Sequence, residues 1–208
     1  LQLPIDMHCH STYSLLDGFG TPEQVVLRAK ALGWKSACLS EHGWLGSVPA
    51  FYRACREHKI NPILGCELYI VSDENLGQRG KEYRWKFHHL TVLALSAEGY
   101  HNLVAWTTFA SQRENFYDKP LISLDAMEFI APYPLHHNVV LSGCLSSELQ
   151  SAILQANGDR LDVGGTYVES MKSLFPHFYI EVQNHEHPKF SGKSFASYDE
   201  MCQREGIA

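Results

Sequence analysis

Short apolar runs and amphipathic stretches alternate from one end of the chain to the other. Leu3–Met7 reads as a strand that delivers His8-Cys9-His10 at its C-terminal end. Thr21-Pro22-Glu23-Gln24 is a capping box with Pro at the first helical position, and Val25, Val26, Ala29 and Leu32 form one apolar stripe up to Gly33. Ser36–Ser40 predicts a second strand, ending at Glu41-His42. Ser47 then opens a helix to about His58, with Pro49 in its first turn. Pro62–Val71 predicts a third strand with Glu67 inside it, and the polar stretch Asp73–Lys86 an excursion loop. A fourth strand is expected over His88–Ser96, then a helix near Glu98–Ser111 that packs Leu103, Val104, Trp106 and Phe109. Arg113–Pro120 reads as a loop, Leu121–Phe129 as a short helix, and Asn138–Ser142 as a fifth strand ending in Gly143-Cys144. Ser146 or Ser147 caps a helix to about Ala156, and another helix covers Thr166–Phe175. A sixth strand, His177–Gln183, and a helix near Phe195–Glu205 follow. Gly206-Ile207-Ala208 then reads as the beginning of one more strand.

Strand and helix in repeated alternation predict one α/β domain with a mostly parallel sheet and helical crossovers. No linker or repeat divides the 208 residues, and the chain is expected to stop before the fold is finished. The composition, 45% hydrophobic and 19% charged, suits a packed core rather than disorder. No apolar run approaches the ~20 residues that span a bilayer, so no membrane partner is expected. The six cysteines show no Cys-x-x-C and no paired spacing, which suits small core residues in a reducing, cytoplasmic compartment. A net charge of −6 offers phosphate backbones no general attraction, so any contact with nucleic acid needs another source of positive charge.

The 12 histidines matter through their positions. Alternation along a strand puts His8 and His10 on one face and Cys9 on the other. His8/His10, Glu41-His42 and Cys144 all stand where strand gives way to turn, and such ends gather at one mouth of a parallel sheet or barrel. Glu67 and His89 join them as further candidates. Imidazoles, carboxylates and one thiol converging in this way suit zinc, manganese or iron. Plainer readings stand beside these. Cys144 suits a buried strand-end thiol, and Asp17 before Gly18 suits ordinary turn chemistry. His185, His187 and His136-His137 suit solvated positions, and Trp34, Trp44, Trp85 and Trp106 suit packing or domain contact rather than base stacking. Arg79, Lys81, Arg84 and Lys86 form a small basic cluster, either a solvated loop or a contact with DNA or a neighbouring domain.

Several longer motifs carry a resemblance. They are Asp6-Met7-His8-Cys9-His10-Ser11-Thr12-Tyr13-Ser14-Leu15-Leu16-Asp17-Gly18, Leu39-Ser40-Glu41-His42-Gly43 and Pro62-Ile63-Leu64-Gly65-Cys66-Glu67. His89-Leu90-Thr91-Val92-Leu93-Ala94, Gly99-Tyr100-His101-Asn102-Leu103, Leu141-Ser142-Gly143-Cys144-Leu145 and Phe178-Tyr179-Ile180-Glu181-Val182-Gln183-Asn184-His185 continue it. In this order they resemble the polymerase-and-histidinol-phosphatase (PHP) domain, as found at the N-terminus of the alpha subunit of bacterial DNA polymerase III. The resemblance implies a distorted (β/α)7 barrel with a trinuclear metal centre at its C-terminal mouth. It implies one ion on His8, His10 and Glu67, a second on Asp17 and His42, and a third on Glu67, His89 and Cys144, with Glu67 as the bridge. The family's remaining ligands come from an Asp-x-His motif on a later strand, which is expected beyond Ala208. Glu41 departs from the Asp usual in this branch and is expected to support the ligands from behind.

The resemblance implies a metal-dependent phosphoesterase with 3′–5′ exonuclease chemistry, for which His8, His10, Asp17, His42 and Glu67 are the catalytic candidates. Two or three divalent ions, zinc or manganese and also iron or magnesium, would act on a DNA 3′ end. The alternative is a non-catalytic domain that stabilises the rest of a polymerase and docks a proofreading exonuclease subunit. A stand-alone phosphatase is disfavoured by the Ser-Leu-Leu-Asp-Gly and Leu-Ser-Gly-Cys motifs. The ligand set visible in the chain favours catalytic capacity.

Overall fold

The computed structural model describes residues 5–84, 86–155 and 160–183, so the helix and strand expected after residue 194 lie outside the described residues, as do Trp85, His185 and His187. Helix α1 spans Pro22–Ala31 and carries the expected reciprocal capping box between Thr21 and Gln24. Strand β1 (Ser36–His42) is followed by helix α2 (Val48–His58) and strand β2 (Asn61–Ile70). Strand β3 is His88–Ala94 and helix α3 is Ala97–Ala110, capped by Ser96. The stretch expected as a loop forms a small hairpin instead, β4 (Phe116–Tyr117) and β5 (Lys119–Ile122), with Asp118 at φ 59 in the turn. Helix α4 (Leu124–Ile130), strand β6 (Asn138–Leu141), helices α5 (Glu148–Gln155) and α6 (Arg160–Leu174) and strand β7 (Phe178–Tyr179) complete the order.

The strands make one mixed sheet in the order β4-β5-β2-β3-β6-β7, with β1 also paired to β2. Strand β2 runs parallel to β1 and β5, and β6 parallel to β7, but β3 is antiparallel to both β2 and β6. The expectation of a mostly parallel sheet is corrected here. The connection from β2 to β3 is a turn-rich loop with no helix among its described residues, whereas a parallel return needs a crossover that is usually a helix. That reversal has a consequence for chemistry. The start of β3 lies beside the end of β2, with Tyr69 opposite His89, so a residue at a strand start joins residues at strand ends.

A second correction concerns the N-terminal segment. Residues 5–10 form no strand. They lie against β1 through Ser40 N–H donating to the Cys9 carbonyl at 2.9 Å and the Cys38 thiol at 3.3 Å from the Met7 carbonyl. The sixth strand is likewise shorter than expected, because beyond Tyr179 the Glu181 N–H bonds the Ser142 hydroxyl at 2.9 Å rather than a neighbouring backbone.

Alternation along the strands sorts core from site. Ala37 and Leu39 of β1 pack with Val26, Ala29, Phe51 and Cys55 of the first two helices. Cys66, Leu68 and Ile70 of β2 join Trp106, Met127, Leu149, Met171 and Phe175 in the larger core. The intervening residues, Ser40 and His42 on β1 and Glu67 and Tyr69 on β2, therefore face the other side. Trp106 anchors the larger core, fully buried with its indole N–H donating to the Met127 carbonyl at 2.8 Å.

Candidate metal centre

Glu67 is the hub of the site. Its side chain is 1% exposed, and its two oxygens face four imidazoles. Oε2 lies 3.3 Å from His8 Nε2, 3.2 Å from His10 Nε2 and 2.8 Å from His42 Nδ1. Oε1 lies 2.8 Å from His89 Nδ1. Asp17 stands on the solvent side, 53% exposed, with Oδ2 3.0 Å from His42 Nε2 and 3.7 Å from His10 Nε2. Three overlapping triads result: His8, His10 and Glu67; His10, Asp17 and His42; and His42, Glu67 and His89, with donor atoms within 4.8 Å of one another in each. Cys144 adjoins the set with Sγ 3.4 Å from His89 Nδ1.

Each donor is positioned by its element. His42, at the end of β1, and Glu67, inside β2, are register partners. His89 is the second residue of β3, and its N–H donates to the Ser146 carbonyl at 3.1 Å, which ties the Cys144 turn to it. Gly143 makes that approach possible: at φ 90, a Cβ there would stand 2.5 Å from the His89 carbonyl oxygen. His8, His10 and Asp17 come from the N-terminal segment and the loop after it. The rings of His10 and His42 stack at 4.4 Å with 8° between their planes.

Glu41 lies outside the three triads. Its buried carboxylate accepts from the Ser11 N–H at 3.2 Å, from the Ser11 hydroxyl, and from the Ser14 hydroxyl at 2.5 Å. The Ser14 Oγ in turn accepts from the His42 N–H at 3.2 Å and lies 3.4 Å from His10 Nδ1. One buried carboxylate thus clamps the loop bearing Asp17 to the strand bearing His42.

Two further side chains at the site are not apparent from the sequence. Glu181 Oε1 lies 2.6 Å from His8 Nδ1, and Thr91 Oγ1 lies 3.1 Å from the same nitrogen. A carboxylate between Ile180 and Val182, in a segment read as a strand, was the available signal for Glu181; a lone Thr inside β3 offers none.

Electrostatics follow from this packing. Burial disfavours the charged form of Glu67, but the close imidazoles of His10, His42, His8 and His89 hold its carboxyl well below the usual range. Burial likewise opposes a charged His8, yet Glu181 and Glu67 outweigh it and raise its pKa to about 10. The Cys144 thiol is pushed up to about 12 by burial and by the Glu67 charge. Despite the short distances, Glu67 Oε2 and His42 Nδ1 are buried with no hydrogen bond of acceptable geometry. Their lone pairs converge on common space, which suits a cation shared between donors about 2 Å from it. The residues present fit a metal.

The basic cluster does not enter the site as a unit. The Arg79 guanidinium donates to the Arg113 carbonyl, Arg84 Nε pairs with Asp118 at 2.5 Å, and Lys86 lies 5.2 Å over the Tyr83 ring, while Lys81 is exposed. Of these contacts, the Arg84–Asp118 pair ties the excursion loop to the turn of the β4–β5 hairpin. No helix among the described residues is long and apolar enough to cross a membrane.

A family model described as "PHP domain" matches residues 6–185. Over 197 residues the chain is 32% identical to DNA polymerase III subunit alpha of Chlamydia pneumoniae, covering 94% of this chain and 15% of that protein. Over 187 residues it is 33% identical to DNA polymerase III subunit alpha of Thermus aquaticus, covering 88% and 15%. The chain therefore spans about 15% of the length of these curated relatives. A solved structure from Bifidobacterium adolescentis, assigned as a metal-dependent phosphoesterase, matches with a TM-score of 0.52 and 14% identity over 97% of this chain and 84% of that one. At that identity the likeness is one of fold.

Proposed function

The chain belongs to the PHP domain family, and from that premise we propose that its metal centre hydrolyses phosphoesters as a 3′–5′ exonuclease on single-stranded DNA, within a polymerase III alpha-type protein. The strand–helix order and the family support a distorted (β/α)7 barrel of PHP type as the complete fold. In this reading His8, His10 and Glu67 hold one ion, Asp17 and His42 a second beside His10, and Glu67, His89 and Cys144 a third. Bound there, zinc, manganese or iron supplies Lewis-acid charge and a nucleophilic water at neutral pH.

The chain's own residues do the rest. His8 donates its Nδ1 proton to Glu181, which leaves the Nε2 lone pair turned toward Glu67. Glu67 presents one oxygen to the His8, His10 and His42 side and the other to His89, the disposition of a bridging carboxylate. Asp17, half exposed, is the donor nearest the incoming strand. The observation that carries the reading is the buried, unbonded Glu67 Oε2 among three imidazole nitrogens.

Incubation of the metal-loaded whole protein, rather than these 208 residues alone, with end-labelled single-stranded oligonucleotide tests it. Stepwise shortening from the 3′ end is expected, lost on chelation and in Glu67→Gln. A metal-loaded whole protein whose PHP domain cleaves neither oligonucleotide nor bis(p-nitrophenyl) phosphate overturns it in favour of the docking reading. One observation supports that second reading: Leu15, Leu16 and Phe19, beside Asp17, are 87%, 108% and 99% exposed. Such an apolar loop suits contact with another polymerase domain or a proofreading subunit.

A further inference from the structure

Acidic residues outnumber basic ones in this chain, 23 to 17, and the centre itself gathers Asp17, Glu67 and Glu181. Metal ions answer that charge only at the phosphate they touch. The next phosphates along a strand meet no ion, and each needs a side-chain cation or none at all.

Lys119 is placed for one of them. It opens β5, which adds to the end of β2 with Leu121 opposite Tyr69. Its Nζ lies 5.0 Å from the centre of the Tyr69 ring. The same ring stacks on His42 at 5.7 Å and meets His89 edge-on at 5.1 Å, so one side chain touches both the ammonium and two of the candidate ligands. The hairpin is pressed against the turn after His42: a Cβ on Gly43 would stand 2.5 Å from Pro120 Cγ. The adjacent carboxylate does not neutralise the ammonium, because Asp118 is engaged by Arg84 at 2.5 Å. Among the described residues no carboxylate lies within ion-pair distance of Lys119, and the side chain is only partly buried. A cation–π contact accounts for its position but uses none of its three N–H donors on an oxygen.

We propose that Lys119 is a backbone-phosphate contact for a single-stranded nucleic acid whose end lies at the metal centre, a contact that reads no base. It rests on the proposal that this centre takes a nucleic-acid strand. The test is equilibrium binding of a fluorescein-labelled oligothymidylate to the whole metal-loaded chain, by anisotropy across a salt series. Losing one phosphate contact to a single strand makes the slope of log K against log salt shallower by about 0.7 and weakens binding about fourfold near physiological salt. Lys119→Met is expected to do this with bound metal unchanged, and Lys119→Arg to restore the slope. An unchanged slope in Lys119→Met, a fall that occurs only together with metal loss, or a wild-type chain that binds no oligonucleotide overturns the proposal. Cleavage of the same oligonucleotide is scored separately. Cleavage with an unchanged slope refutes the lysine contact and leaves the exonuclease reading standing, and a changed slope without cleavage does the reverse.

Discussion

Glu67 and His42 are register partners on parallel strands, and their side chains meet with 2.8 Å between Oε2 and Nδ1. Residues opposite each other in a parallel pair project to the same face, so this contact is made by the sheet and not by a loop. A buried carboxylate and an imidazole locked together in this way keep their geometry whether or not the surrounding loops move. The other donors are assembled around this rigid pair, His89 by the reversed strand β3 and His10 and Asp17 by the loop that Glu41 clamps.

Because both Glu67 oxygens face imidazoles, Glu67→Gln should cost more bound metal than His89→Ala or Cys144→Ser. The amide keeps the shape but loses the charge and half the acceptor capacity. Elemental analysis of protein purified without chelator checks this. Equal losses across the three variants would refute the bridging role.

Glu181 touches His8 on the nitrogen opposite the one that faces Glu67. Outer partners of this kind typically account for ten- to a hundredfold in metal affinity. Glu181→Gln should therefore lower affinity by about that factor, measured by competition with a chelating dye, while the fold stays intact by circular dichroism. An unchanged affinity would make Glu181 a packing residue.

Glu41→Ala should destabilise the fold itself. It strands three donors, the Ser11 N–H and the hydroxyls of Ser11 and Ser14, in a buried place. Each buried donor left unsatisfied costs about 1–3 kcal/mol, partly relieved by entering water, so a loss of about 2–4 kcal/mol is expected. Urea denaturation of the metal-free protein measures it without interference from metal binding. Ser14→Ala should cost less, since the Ser11 bonds survive.

The part of the donor set that strands carry is legible in the sequence because the strands are. Ser36–Ser40 and Pro62–Val71 are short, nearly continuous apolar runs, and His42 follows the first while Glu67 interrupts the second. Thr21 and Gln24 announce α1 by local chemistry alone. The direction of β3 is not legible, since apolar periodicity is the same in either direction and only the missing crossover helix hints at reversal. The segment leading into His8-Cys9-His10 looks like a strand, but the one backbone bond it makes to β1 among the described residues is at Cys9. The partnership of His8 with Glu181 spans 173 positions and is created by tertiary packing that no local pattern encodes. The tryptophans show the same limit: Trp106 is wholly buried and Trp44 is exposed, in sequence contexts that do not distinguish them.

The last prediction concerns protons. In the metal-free protein Glu181 and Glu67 overcome burial and raise the His8 pKa from 6.5 to about 10. A folded-state pKa above the unfolded one favours the folded state fully below pH 6.5, and that contribution is lost as the pH rises through about 10. Across neutral pH the metal-free centre is therefore closed partly by an imidazolium, which a bound metal must deprotonate. Metal affinity should rise by up to about tenfold per pH unit between pH 7 and 9, with proton release into the buffer. Calorimetric titration of zinc in two buffers of different ionisation enthalpy counts the protons, and Glu181→Gln, with its hydrogen bond to His8 weakened, should release fewer near pH 8. The metal-free protein should lose stability over the same rise in pH, and the metal-loaded protein should not. If zinc affinity proves flat between pH 7 and 9 in the wild-type chain, His8 is neutral in the metal-free state and the closure of the centre does not depend on its charge.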